Sequence, residues 1–166
     1  MKQNITRAQF LRGDFSGRRK AIRPPWHCDE LIFVDKCTRC NQCLEVCPEN
    51  IIQADKHGFP VINFKAGECT FCAACAQVCE SHAIRSDTTS KPWRLRAVIS
   101  DNCLPLKGVV CGRCADECEI SAISLRLVAG GIAIPRLNNQ QCTGCGACNR
   151  VCPASAIEMR DFGERE

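Results

Sequence analysis

The stretch CTRCNQCLEVCP, residues 37–48, decides how this chain folds. Its cysteines stand at Cys37, Cys40, Cys43 and Cys47, separated by two, two and three residues, with Pro48 behind the last. The same spacing returns at Cys69, Cys72, Cys75 and Cys79. It returns again at Cys142, Cys145, Cys148 and Cys152, followed by Pro153. A third group, Cys103, Cys111, Cys114 and Cys118, keeps the last two intervals but widens the first to seven residues, Leu104 to Val110. Sixteen of the seventeen cysteines fall in these four groups.

The C-x2-C-x2-C-x3-C spacing is that of bacterial ferredoxins, which hold cubane [4Fe-4S] clusters. Three cysteines two residues apart can wrap a loop around three irons. The fourth is read as opening a helix that leads away, so it reaches a different cluster, and two motifs form one working unit. Zinc is the first rival, but structural zinc sites use two close pairs of ligands far apart in sequence. Here the ligands come in runs of three and four. Disulfides are the second rival, and a secreted disulfide scaffold would need a signal peptide that the sequence does not show. The loop in the third motif contains Pro105 and Gly108, which suits an irregular excursion. Four clusters are expected if Cys103 is a ligand, three if the third motif is not used.

The segments between motifs suggest their pairing. Leu31 to Val34 read as a strand entering the first motif. Ile51 and Ile52, the turn Asp55–Gly58, and Val61, Ile62 and Phe64 read as a hairpin joining motifs one and two. Ala83 to Arg85 read as a closing strand, and the polar run Ser86–Pro92 as a linker. Trp93, Leu95, Ala97 and Ile99 alternate as an opening strand. A second hairpin, Ile123–Leu127 and Ile132–Ile134 about Ala129–Gly131, joins motifs three and four, and Ala156–Met159 close the unit. The expected fold is α+β: two tandem bacterial-type 2[4Fe-4S] ferredoxin-like units built of small antiparallel hairpins and short helices. A basic tail over 1–27 would precede a first unit over 28–88 and a second over 89–166. The expected ligand sets are Cys37, Cys40, Cys43 with Cys79; Cys69, Cys72, Cys75 with Cys47; Cys103, Cys111, Cys114 with Cys152; and Cys142, Cys145, Cys148 with Cys118. A nested pairing, one with four and two with three, stays open, since motifs one and four share the C-P ending.

Aromatic residues make up 5% of the chain and tyrosine is absent, so the apolar core is small. The clusters are expected to supply much of the folding free energy. The formal charge is +4, with Lys2, Arg7, Arg12, Arg18, Arg19, Lys20 and Arg23 set against Asp14 alone in the first 26 residues. Oxidised clusters with their thiolates would add about −8 in all, so the basic composition does not argue for nucleic acid. The basic segment reads equally as a solvated tail or as a docking arm. No apolar run is long enough to span a membrane and no apolar leader is present, so a cytoplasmic location is expected. Thr6–Arg12 faintly resembles a twin-arginine motif in which Ala8 stands for the second arginine. Cys28 reads as a free thiol near the surface, His57 and His82 as solvated or packing residues, and Trp26 and Trp93 as covers of the units. No nucleophile with a base, phosphate loop or nicotinamide fingerprint is found, so no enzyme is expected.

Ile22–Trp26 (IRPPW), CTRC at 37–40, ECTFC at 68–72, the stretched third motif with CGRC at 111–114, and CTGCGAC at 142–148 together resemble the NapF family of ferredoxin-type proteins. The resemblance implies a cytoplasmic partner of the periplasmic nitrate reductase catalytic subunit, acting on its precursor before twin-arginine export. On that reading the protein helps install or reduce the precursor's cluster. A plain electron carrier, serving quinol-oxidising membrane partners on their cytoplasmic side, and a chaperone whose clusters only hold its fold are the competing classes. A chain without iron is expected to be largely unfolded. A compact metal-free chain in small-angle scattering would contradict that.

Overall fold

A computed structural model describes residues 21–85, 87 and 89–162. The first twenty residues, with most of the basic segment and the Thr6–Arg12 stretch, lie outside these, as do Ser86 and Thr88 of the linker. No helix among the described residues is long and apolar enough to cross a membrane.

Among the described residues, three two-stranded antiparallel sheets and five short helices are found. Helix α1 spans Glu30–Lys36, where a strand is expected from Leu31–Val34. Its N-cap Asp29 accepts a hydrogen bond from the Leu31 N–H, and Glu30 and Lys36 sit at the ends favoured by the helix dipole. Of its apolar run only Phe33 is buried, so the signal read as a strand was a helix with one anchoring side. Helix α2 (Gln42–Glu45) leads to strands β1 (Ile52–Ala54) and β2 (Pro60–Ile62). Buried Ile52 stands opposite buried Ile62 across this hairpin. Its turn closes because the Asp55 carboxylate accepts from the His57 and Phe59 N–H groups, with Gly58 at φ 81°.

Helix α3 (Ala74–Gln77) precedes β3 (Leu95–Ile99); a 3-10 turn (Leu104–Lys107) and α4 (Arg113–Asp116) follow. Strands β4 (Ile123–Leu127) and β5 (Ala133–Leu137) form the second hairpin, turned by Gly130 and Gly131 at φ 92° and 76°. Helix α5 (Ala147–Val151) leads to β6 (Ile157–Asp161), which pairs with β3 from Leu95↔Asp161 to Ile99↔Ile157. The equivalent closure in the first half is only a bridge, His27↔Ile84, flanked by Cys28 N–H to Ala83 O and Arg85 N–H to Trp26 O. The strand expected over Ala83–Arg85 is therefore reduced to one pairing.

Ile22 to Trp26 do not continue a solvated tail: Arg23, Pro24, Pro25 and Trp26 are buried in the first half. Arg23, 3% exposed, forks onto Glu30 (2.9 Å) and reaches Asp55 (3.5 Å) and the Pro60 carbonyl (3.1 Å). Its guanidinium also lies 5.1 Å from the Phe33 ring centroid and 5.5 Å from that of Phe59. One cation thus ties the incoming segment, α1 and the first hairpin together, because only guanidinium offers a planar fork and a stacking face at once. The larger core gathers Phe33, Ile51, Ile52, Phe64 and Ile84, and also takes Trp93 and Leu95 from the second half. Ala97, Ile123, Cys148 and Ile157 form a smaller one.

Arg23→Ala is expected to destabilise the iron-loaded protein by about 2 kcal/mol, below the usual cost of breaking a buried pair because Glu30 is 41% exposed. Arg23→Lys is expected to recover only part of this. Unchanged thermal melting of Arg23→Ala would remove Arg23 as the structural tie.

Candidate metal centres

The motif loops share a backbone path that their side chains do not predict. Arg39 and Asn41, flanking Cys40, have φ of 59° and 66°. Phe71 and Ala73, flanking Cys72, have 55° and 62°, and Gly144 and Gly146, flanking Cys145, have 81° and 90°. Left-handed residues alternating along a loop make a concave nest of N–H groups suited to an anionic group. For a non-glycine residue each such conformation costs about 1–2 kcal/mol, so it persists only where the surroundings impose it. The third motif runs differently. Cys103 caps the 3-10 turn Leu104–Lys107, which ends at Gly108 with φ 83°, and Gly112 sits at φ −136°.

Each third cysteine lies on a short helix: Cys43 on α2, Cys75 on α3, Cys114 on α4 and Cys148 on α5. The fourth cysteine follows its helix rather than opening one, correcting the expectation from spacing. Helices of four or five residues are far below the length that is stable alone in water. Behind the fourth cysteines the chain makes one turn four times. Asn50, His82, Ser121 and Ser155 have φ of 53°, 52°, 52° and 47°. Their N–H groups donate to the carbonyls of Cys47, Cys79, Cys118 and Cys152. The turn then aims an N–H at sulfur: Ile84 to Cys79 Sγ (3.4 Å), Ala122 to Cys118 Sγ (3.2 Å) and Ala156 to Cys152 Sγ (3.2 Å). Hydrogen bonds of this kind favour the thiolate and tune a bound cluster's potential.

Four quartets of thiols result. Burial, then the charges of Cys37, Cys40 and Cys79, push the Cys43 thiol up to about 12. Cys75 is likewise pushed up to about 12, by burial and then by Cys69, Cys43, Cys47 and Cys72. Cys114 rises to about 11, by burial and then Cys103 and Cys111, with Cys152 adding to it. Cys148 rises to about 12, by burial and then Cys145, Cys142, Cys114 and Cys118. Cys47 of motif one lines a cavity with the cysteines of motif two, and Cys152 of motif four lines one with those of motif three, so motif one lies against motif two and three against four. The nested arrangement is not the one it adopts.

The donor set fits an iron–sulfur core. Four thiols whose ionisation is opposed by burial and by one another need a shared cationic centre to be thiolates at neutral pH. Cys47, Cys69, Cys72 and Cys75 line one cavity, and Cys103, Cys111, Cys114 and Cys152 line another. Both cavities open to solvent and are similar in size, so the stretched third motif keeps a cavity like that of the second.

Outside the quartets, Cys28 is buried rather than near the surface, and its Sγ donates to the His82 carbonyl (3.3 Å). His57 and His82 are exposed. Trp26 is 5% and Trp93 7% exposed.

Residues 36–83 and 108–160 each match the family described as a 4Fe-4S dicluster domain. The chain is 44% identical over 174 aligned residues to the ferredoxin-type protein NapF of Haemophilus influenzae, covering 99% of this chain and 98% of that one. To the ferredoxin-type protein NapF of Escherichia coli K12 it is 45% identical over 157 residues, 95% of each chain. The chain belongs to the NapF family of ferredoxin-type proteins. Like the family domain it matches twice, it is an iron–sulfur protein carrying several [4Fe-4S] clusters. It is also 30% identical to the methylamine utilization ferredoxin-type protein MauM of Methylophilus methylotrophus, over 84% of this chain and 69% of that one. The second domain match begins at residue 108, after Cys103, so only the geometry above brings Cys103 to the third quartet.

Cys103→Ala is expected to remove about a quarter of the bound iron and sulfide, the share of one cluster among four. Cys28→Ser is expected to remove none. Full iron retention by Cys103→Ala would strike Cys103 from the ligands.

Proposed function

We propose that this NapF-family protein is a cytoplasmic, non-catalytic ferredoxin of two tandem units, over 28–88 and 89–166, holding four [4Fe-4S] clusters on its sixteen motif cysteines. The groups would be Cys37, Cys40, Cys43 and Cys79; Cys69, Cys72, Cys75 and Cys47; Cys103, Cys111, Cys114 and Cys152; and Cys142, Cys145, Cys148 and Cys118. Bound clusters supply reversible one-electron chemistry, and in a labile site transferable iron. The chain's own residues supply thiolates, nests and N–H···S bonds.

Its task on this reading is to assist maturation of the periplasmic nitrate reductase catalytic subunit, by inserting or reducing that subunit's iron–sulfur cluster before twin-arginine export. The family membership carries the link to that system. One structural observation supports a protein partner: the loop between Cys103 and Cys111 exposes Leu106, Val109 and Val110, the last 83% exposed, beside a solvent-open cavity. Exposed apolar side chains next to a metal centre suit docking of another protein close to it. The uneven third motif also suits a cluster that can be surrendered. A second reading, one-electron transfer to a redox partner of the system, is favoured by the contact between the second and fourth motifs described below.

The experiment tracks iron. The protein is loaded anaerobically with isotopically labelled iron, mixed with unlabelled, cluster-free precursor, and separated. Labelled [4Fe-4S] in the precursor, with gain of nitrate reduction, is expected. Binding without transfer of label would shift the reading to redox support, and no binding would overturn the maturation role.

A further inference from the structure

The two halves meet at their metal motifs. The Cys69 N–H of the second motif donates to the Cys145 carbonyl of the fourth at 2.8 Å. Trp93 lies beside this contact. Its Nε1–H donates to the Thr143 carbonyl (2.9 Å), and its ring stands edge-on to Phe64 (5.9 Å) and Phe71 (5.6 Å). The two glycines of the fourth motif leave no room for anything else. A Cβ on Gly144 would lie 2.5 Å from the Leu95 carbonyl oxygen and 2.8 Å from Trp93 Nε1. A Cβ on Gly146 would enter the space held by the Phe64 ring. The matching positions of the second motif are Phe71 and Ala73, so glycine is required here by the neighbour and not by the loop. Lys65 Nζ to Ser155 Oγ (2.9 Å) adds a polar contact at the rim.

We propose that Phe64, Trp93, Gly144 and Gly146 are positioning residues that hold the second and fourth motifs against each other, so that the four metal centres adjoin in the order one, two, four, three. This rests on the ligand groups proposed above and deepens the electron-transfer reading. Electron tunnelling weakens steeply with distance and is favoured by bonded paths. The hydrogen bond from Cys69 to Cys145 gives one such path between the halves, in which one proposed ligand residue bonds directly to another. The transfer served is of one electron, from a low-potential one-electron donor at one end to an acceptor at the other. The donor is oxidised and the acceptor reduced by one unit, with no bond made or broken. The first and third motifs become the two ends, and the exposed apolar loop lies at the third.

The test uses the full iron-loaded chain with a protease site inserted between Asp87 and Thr88. Iron is counted first; a chain short of four clusters fails the ligand assignment itself, and with it this order. The loaded protein is reduced, its electron paramagnetic resonance spectrum recorded, and the linker then cut. The halves are expected to elute together with an unchanged, spin-coupled spectrum; halves that part on cutting overturn the proposal. In the Trp93→Ala background, cutting is expected to release the halves, with loss of the coupling between them and no loss of iron. Trp93→Phe, which keeps the ring contacts, is expected to restore it. Phe64→Ala replaces Trp93→Ala if the latter loads poorly. Coupling that survives complete separation of the halves lies wholly within each half and overturns the proposal. Failure to mature the precursor leaves these spectra unaffected, so the two readings fail separately.

Discussion

Gathering four thiolates out of water within reach of one another is unfavourable on two counts, desolvation and mutual repulsion. The raised thiols of Cys43, Cys75, Cys114 and Cys148 carry both penalties. An iron–sulfur core offsets them by placing cationic charge at the centre of each quartet. The rest of the protein depends on that compensation. Its described helices are too short to stand alone, its hairpins have two strands, and its loops keep non-glycine residues in left-handed conformations. Such features persist together only where something stronger than local propensity holds them.

Exchange of the fourth cysteines turns local loops into a fold. Cys47 shares a cavity with Cys69, Cys72 and Cys75 of the second motif, across the hairpin between them. Cys152 does the same with Cys103, Cys111 and Cys114 in the second half. The halves are not identical. The second is closed by the five-residue β3–β6 pair, the first by a single bridge supplemented by Arg23 and its partners. The buried guanidinium, sandwiched between acidic groups and two aromatic rings, supplies in the first half the closure that strand pairing supplies in the second.

Function follows from how the quartets are presented. The second and fourth motifs fit tightly at Gly144 and Gly146, with Phe64 and Trp93 in the shared core. The third motif carries a longer loop whose apolar residues face solvent. A tight junction inside and exposed apolar residues at one end are consistent with the proposed role of passing charge or iron to another macromolecule.

Cofactor, repeat and pairing of turns were legible in the sequence, because cysteine spacing is dictated by the size of the core it wraps and hairpins announce themselves through Asp-x-x-Gly and Gly-Gly. Family resemblance was legible for the same reason, through loops that admit few alternatives. Other features were decided only in three dimensions. Leu31–Val34 became a helix because one buried Phe33 and the Asp29 cap outweighed a β-rich composition. Arg23 looked like one more charge of a basic tail, since nothing local marks a cation whose acidic and aromatic partners lie up to 36 residues away. Cys103 was expected beside Cys111 and Cys114 from the sequence, but how the widened loop is accommodated, by a 3-10 turn that Cys103 caps, was visible only in the fold. Sequence by itself determined which residues could hold iron, because ligand chemistry is local. Tertiary structure alone decided which motif faces which across the halves, because that depends on aromatic side chains meeting two glycines from a distant loop.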